Sequence, residues 1–345
     1  MSPTPLSTRA CALVPPVASG TSAEAAPRSQ LGPRTSRSPL VATLIRLSRK
    51  KIAMTAIVYI TLFYVVAIGA PWLTPHNPNA TDISVETRYQ GLSSEHWLGT
   101  DELGRDIASR VMFAARTTLI FTAAVFITGG VFLGLGLGLL AGYRGGWIDS
   151  AVMRVGEVLA GMPTLFLIIA IAAAFRTRID DLAFWVRDNT PLGSTDANAL
   201  VDYIVVVGAT VPFAWVGGAR IVRSQALYIR EADYVVGAEV VGASTMRILF
   251  RHILPGVLPL FMVGFSGGMA AIAGTEVALS FLGLGVDPPT ASFGNMIAQG
   301  AGPQTFQSYP HLLLGAALPV VFFFFAWNLL GDALVDLLEP RTSAR

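Results

Sequence analysis

A chain of 345 residues, 53% hydrophobic and only 13% charged, with a mean hydropathy of +0.58, falls outside the range of ordinary soluble domains and has the composition of a polytopic membrane protein. Its net charge of +2 says little about partners; the apolar composition is what makes membrane lipid, and not nucleic acid, the expected surroundings. Cys11 is the only cysteine, which excludes an intrachain disulfide and a thiolate metal site. The only lysines, Lys50 and Lys51, do not follow glycine, so the G-x-x-x-x-G-K-[ST] phosphate loop is absent. No catalytic residue, cofactor or metal is expected in this chain, and any ATP and Mg that drive it are bound by another subunit.

Residues 1–40 are rich in Ser, Pro, Ala, Thr and Arg, with Glu24 the single acid, and show no apolar period. They read as a disordered cytoplasmic tail ahead of a membrane domain over 41–345. The composition also resembles an organellar transit peptide, but no cleavable secretory segment is visible, because Cys11–Val17 is short and broken by two prolines. Apolar runs near the roughly 20-residue spanning length predict six transmembrane helices: Ile52–Leu73, Thr118–Tyr143, Val152–Phe175, Val201–Ile221, Val257–Leu284 and Leu312–Leu334. The 34 glycines and 21 prolines are tolerable in such helices, where small residues permit close crossings.

After the first span, HWLGTDELGRDIASR (His96–Arg110) predicts an amphipathic helix on the outer surface. Thr100 caps it, Asp101 and Glu102 occupy its first turn, and Asp106 pairs with Arg110 at i,i+4. A metal site from His96, Asp101, Glu102 and Asp106 is not expected, since one histidine among adjacent acids lacks ligand geometry. In the third span Arg154 and Glu157 suit a local ion pair, and Pro163 removes one i→i−4 bond and predicts a kink or local unwinding. Residues 176–200, with Asp180, Asp181, Arg187 and Pro191, form a long outer connection. In the fifth span Glu276 is an ionisable group in hydrocarbon, expected to be structural and to reach interface water or a helix N-terminus. Pro163 and Glu276 are the candidates for a pathway or gate. Trp97, Trp147, Trp215 and Trp327, near span ends, suit interfacial belts.

The stretch between the fourth and fifth spans, about 222–256, is polar and basic. Ala238–Val241 suits a short helix, Gly242 its left-handed C′ position, and Ser244 an N-cap for a second helix through Met246, Ile248, Leu249 and Phe250. Gly237, Ala238, Gly242 and Ala243 allow close approach by a partner, with Arg247, Arg251 and His252 placing positive charge beside it. Pro255 and Pro259 are expected to punctuate the return to the membrane. This reads as a docking element. Arg46, Arg49, Lys50 and Lys51 precede the first span, and Arg220, Arg223, Arg230, Arg247 and Arg251 crowd the loop, so the positive-inside rule predicts that both, and both termini, are cytoplasmic.

The loop resembles the EAA loop of the inner-membrane subunits of ABC importers. Gly237 and Ala238 stand for the two alanines, Glu239 follows them, Gly242 is the glycine, and Ile253, Leu254 and Pro255 close the motif, while Val236 replaces the leading Glu. Four further stretches are similar to signatures of the dipeptide, oligopeptide and nickel branch: HWLGTDELGRD, AGYRGGWID (Ala141–Asp149), TEVALSFLGLGVDPPTASFGNM (Thr275–Met296) and NLLGDALVDLLEPR (Asn328–Arg341). Together they cover Ile52 to Arg341 in order. The resemblance implies an all-helical type I importer permease of the bacterial inner membrane, similar to the second permease of peptide transporters. It implies a homologous permease partner, two ATPase subunits docked on the loop, and an extracytoplasmic solute-binding protein. The implied cargo is di- or oligopeptides, with nickel, another small chelate or glutathione as alternatives. An ion-coupled secondary transporter would show titratable midplane sites or internal repeats. An intramembrane metalloenzyme would show H-E-x-x-H, which does not occur among His76, His96, His252 and His311.

Overall fold

A computed structural model describes residues 50–189 and 194–338. The tail at 1–40 and Pro191 lie outside the described residues. The described chain is helical: α1 (Lys51–Leu73), α2 (Ile107–Val125), a π-helical stretch (Phe126–Leu135), α3 (Gly136–Arg144), α4 (Gly146–Ala160), α5 (Thr164–Asn189) and α6 (Ser194–Arg230) come first. Then follow α7 (Asp233–Val240), α8 (Thr245–Ile248), a π turn (Leu249–Ile253), α9 (Leu254–Phe281), α10 (Phe293–Gly300), α11 (Pro303–Ser308) and α12 (Pro310–Leu338).

Among the described residues, five helical stretches are long and apolar enough to cross a membrane: Lys51–Leu73, Ile107–Arg144, Asn198–Arg230, Thr245–Phe281 and Pro310–Leu337. The sixth candidate is a bent pair, Gly146–Ala160 and Thr164–Phe175, meeting at 86°. Pro163 lies in this break. Of the kink or local unwinding expected there, the structure shows unwinding: the chain leaves the helix over 161–163 and starts a new one. Lacking an N–H, Pro163 suits that start, and its carbonyl accepts from Phe166 N at 3.0 Å and Leu167 N at 3.4 Å.

Three spans begin or end well outside the apolar runs. The second starts at Ile107, not Thr118; the fourth runs on to Arg230, carrying Arg220, Arg223 and Arg230 on a helix; and the fifth starts at Thr245, not Val257. Apolar runs register where lipid is, whereas a helix continues wherever its backbone bonds propagate and its polar side chains find partners. Pro255 and Pro259 interrupt nothing. The π turn just before them shifts the bonding so that Leu254 N donates to Leu249 O, five residues back, and Pro255 occupies the first turn of α9, where no N–H is required.

The predicted helix capped by Thr100 is replaced by a tight turn. Thr100 bridges antiparallel to Asp106, and Gly104 takes φ +70°. The Asp101 carboxylate accepts from Leu103 N at 2.9 Å, Arg105 N at 3.0 Å and Arg105 Nε at 2.7 Å. Asp106, not Thr100, is the N-cap, accepting from Ser109 N at 2.7 Å. No Asp106–Arg110 side-chain pair forms; Arg110 Nε instead approaches Asp101 at 3.7 Å. Thr100, Asp101, Arg105, Asp106 and Arg110 are buried inside the protein, so the segment is not an amphipathic surface helix. A short polar side chain that can bond its own backbone two residues on competes with helix here, and the left-handed glycine decides for the turn.

The main core gathers α1, α2, α9, α10 and α12 around Phe63, Phe293, Phe323 and Trp327, with the Phe63 and Phe323 ring centroids 4.3 Å apart. Trp327 and Trp215 are both buried, which corrects their assignment to an interfacial belt; Trp97 and Trp147 are exposed and suit one. A glycine seam joins the π stretch and α3 to α6. A Cβ on Gly138 would lie 2.7 Å from Val222 Cβ and 2.8 Å from the Ala219 carbonyl oxygen; on Gly142 it would lie 2.6 Å from Ala226 Cβ and 2.9 Å from the Arg223 carbonyl oxygen. Only residues without a side chain permit these backbones to approach so closely. Lys50 Nζ meets Asp336 Oδ2 at 2.7 Å, so the start of α1 and the end of α12 lie on one face.

Candidate functional site

The predicted docking element is a compact hairpin of helices between α6 and α9. Asp233 in the first turn of α7 favours that helix end electrostatically. At its other end Gly242 N donates to Glu239 O at 2.9 Å and Ala243 N donates to Ala238 O at 3.0 Å. With Gly242 at φ +85°, this is a Schellman closure that satisfies the last carbonyls of the helix. Ser244 then caps α8, its hydroxyl accepting from Arg247 N at 3.4 Å. Gly242 and Ser244 therefore hold the roles expected of them. The first helix is longer than expected, and the second does not stand alone but runs without a break through the π turn into α9.

The hairpin is anchored from beneath. Val235, Ile248, Leu249 and Ile253 are buried against Val222, Ala226 and Ile229 of α6 and Leu139 of α3, with Ala243 and Leu254 packed on the same cluster. Ile253 is fully buried and Leu254 half-buried, so these two hold the hairpin in place and do not offer surface to a partner; Pro255 is exposed. Glu239 is also tied inward, since its Oε1 accepts from Tyr143 Oη at 3.0 Å, while the Tyr143 carbonyl accepts from Arg230 Nη1 at 2.8 Å. Beside them Arg223 makes a two-point ion pair with Asp149. The AGYRGGWID stretch thus supplies both Tyr143 and Asp149 as clamps on the hairpin's base. Nothing local to the loop sequence signals either contact, because the partners lie 74 to 96 residues apart.

What remains exposed is a mixed apolar and cationic surface. Val240 is 83% exposed, Val241 89%, Met246 63% and Phe250 59%, flanked by exposed Arg247 and Arg251. Among the described residues neither arginine makes an ion pair. The Gly237 and Gly242 positions have open space where a Cβ would sit, so nothing within this chain demands a small residue at Gly237. The consecutive valines were the available sequence signal for this surface, but they read equally well as helix interior. Large apolar side chains clustered on a polar loop are a feature of interaction surfaces.

The other candidates lie away from this loop. Glu276 is fully buried in α9, its oxygens accepting from Thr118 Oγ1 at 3.1 Å and Ser280 Oγ at 3.0 Å; it reaches neither interface water nor a helix N-terminus. Its hydrogen bonds come from hydroxyls of α2 and of its own helix. Pro163 marks the 86° bend. Arg154 Nη1 lies 3.6 Å from Glu157 Oε2, both exposed. His96, Asp101, Glu102 and Asp106 do not converge as a ligand set; His96 meets His76 and Glu95 instead, with ligand atoms within 4.8 Å of one another.

The family described as binding-protein-dependent transport system inner membrane component matches residues 134–344, and the N-terminal TM domain of oligopeptide transport permease C matches residues 38–91. Among similar proteins, a dipeptide transport system permease protein of Alkalihalophilus pseudofirmus is 34% identical over 307 residues, 89% of this chain and 91% of the relative. A putative peptide transport system permease protein of Brucella suis is 34% identical over 320 residues, 92% and 97% of the two chains. A glutathione transport system permease protein of Escherichia coli is 36% identical over 300 residues, 86% and 88% of the two.

Proposed function

From the premise that the chain belongs to the family of binding-protein-dependent inner-membrane transport components, we propose that it forms half the pathway of an ATP-driven importer of small peptides. Its partners would be a homologous second permease, two ATPase subunits that bind ATP and Mg, and an extracytoplasmic solute-binding protein. Both termini and the α7–α8 hairpin would face the cytoplasm. The basic residues flanking the first span and the hairpin support that orientation, and the Lys50–Asp336 contact puts the start of the first span and the end of the last on one face.

The observation that carries the coupling reading is the exposed surface of Val240, Val241, Met246 and Phe250 on a hairpin whose second half is continuous with a membrane span. A force applied by an ATPase at α8 would pass into α9 without a hinge, since the helical bonding persists from Thr245 to Phe281. The buried anchors would make the hairpin move as one body with the base of α6. ATP-driven closure would then bias the spans between outward- and inward-facing arrangements.

Gly242→Asp tests this reading. A Cβ there meets nothing within 4 Å, and aspartate bears the left-handed strain at φ +85° better than most residues, so membrane levels should stay normal. A carboxylate placed in a close protein contact without a partner should nonetheless strip the ATPases during purification and abolish uptake. Normal uptake with ATPases still bound would refute the coupling assignment. The cargo follows the relatives' names: radiolabelled dipeptide uptake should depend on this chain, and competition by excess glutathione would favour the glutathione branch.

A further inference from the structure

We propose that His76, Glu95 and His96 form a binding site for a divalent first-row transition-metal ion of the zinc or nickel class, at the α2 end remote from the hairpin. Ligand atoms from all three side chains lie within 4.8 Å of one another, and the two imidazole rings lie with centroids 4.7 Å apart, tilted by 39°. Two imidazoles and one carboxylate are a donor set suited to such ions and leave positions open to water.

The surroundings are built as metal sites commonly are. His96 Nδ1 lies 3.0 Å from Asp106 Oδ1, and Asp106 is itself buried and fixed by its second oxygen, which accepts from Ser109 N. A carboxylate on one ring nitrogen orients the ring and commits the other, Nε2, to bind a ligand. His96 is further held through its backbone N–H, which donates to Ser93 Oγ at 2.9 Å. His76 has its main chain against Ser109 Oγ at 3.4 Å, and its Nδ1 is buried with no hydrogen-bond partner. A buried nitrogen left unpaired is uncommon, and a metal ion is one group that would satisfy it. Glu95 is exposed and free to rotate inward, which is the movement needed to close a 4.8 Å spread to the smaller ligand spacing set by bonds of about 2.0–2.2 Å. An ion there would tie the segment leaving α1 to the stretch that enters α2.

The site does not rest on the importer reading, and its test does not use transport. The full-length chain, purified with its partners and with any affinity tag removed, would be dialysed against micromolar Co²⁺ and its bound metal counted by elemental mass spectrometry. One ion per chain and visible Co²⁺ absorption of low-coordinate type are expected. His76→Gln and Glu95→Gln should each weaken Co²⁺ affinity by at least about tenfold while the protein elutes as a single species; Asp106→Asn, acting through His96, should weaken it by about 10–100-fold. His96→Gln adds to the series where it folds, and the other variants decide the matter where it does not. Failure to retain metal, or affinity unchanged in both His76→Gln and Glu95→Gln, would overturn the proposal.

Discussion

Gly142→Ala is the most direct probe of how this bundle is held together. The added methyl group would lie 2.6 Å from Ala226 Cβ and 2.9 Å from the Arg223 carbonyl oxygen, against about 3.5–4.0 Å for a carbon contact at its optimum. One of the two obstacles is backbone, so rotation of a side chain cannot relieve the clash and α3 must move from α6 by about 1 Å. A gap of that size forfeits about a quarter to a half of each contact along the seam, and overpacking of this kind costs about 1–3 kcal/mol. Alanine recovers about 0.5–1 kcal/mol through its helix preference over glycine, leaving a net loss of about 0–2.5 kcal/mol, centred a little above 1 kcal/mol. Gly136→Ala, in the same helix with open space at its Cβ, keeps the helix gain without the clash and should be neutral or slightly stabilising. Heating the detergent-purified variants and measuring the surviving monodisperse fraction should place Gly142→Ala below wild type and Gly136→Ala at or above it. Adding Ala226→Gly should restore part of the loss, since it removes the 2.6 Å contact but not the carbonyl. Gly138→Ala combined with Gly142→Ala should cost less than the sum, because one separation of the helices accommodates both. Gly142→Ala as stable as Gly136→Ala would refute the close-packed seam.

Glu276→Gln should retain uptake and lose about 1 kcal/mol, because an amide still accepts from one of the two hydroxyls, whereas Glu276→Leu strands both and should lose about 1–3 kcal/mol; abolished uptake with normal stability in Glu276→Gln would indicate a carboxylate that works in transport. In a Cys11→Ser background, Glu102→Cys and Ser244→Cys should react with an impermeant maleimide from opposite sides of the membrane, and labelling from the same side would end the proposed topology.

Much about this protein is local, and that much is legible in the chain alone. Composition identifies a membrane protein because long apolar runs have no other solvent. Gly242 and Ser244 announce their roles because a Schellman closure and an N-cap are completed by bonds to residues within five positions. The tertiary structure decided whatever depends on a distant partner. Asp101 to Arg110 has the charge pattern of a solvated surface helix, but Asp101, Arg105, Asp106 and Arg110 are buried, because Asp101 spends its carboxylate on a turn and on two arginines. Trp215 sits near the end of an apolar run yet lies in the interior, since the helix continues well past it to Arg230. Pro255 has the look of a helix stop but is absorbed by a π turn that no periodicity announces. His76 and His96 are 20 positions apart, and only the fold of the intervening segment brings their rings close together. Sequence patterns encode what the backbone can satisfy with its neighbours in the chain; packing of helix on helix determines which of the remaining polar and small residues face one another.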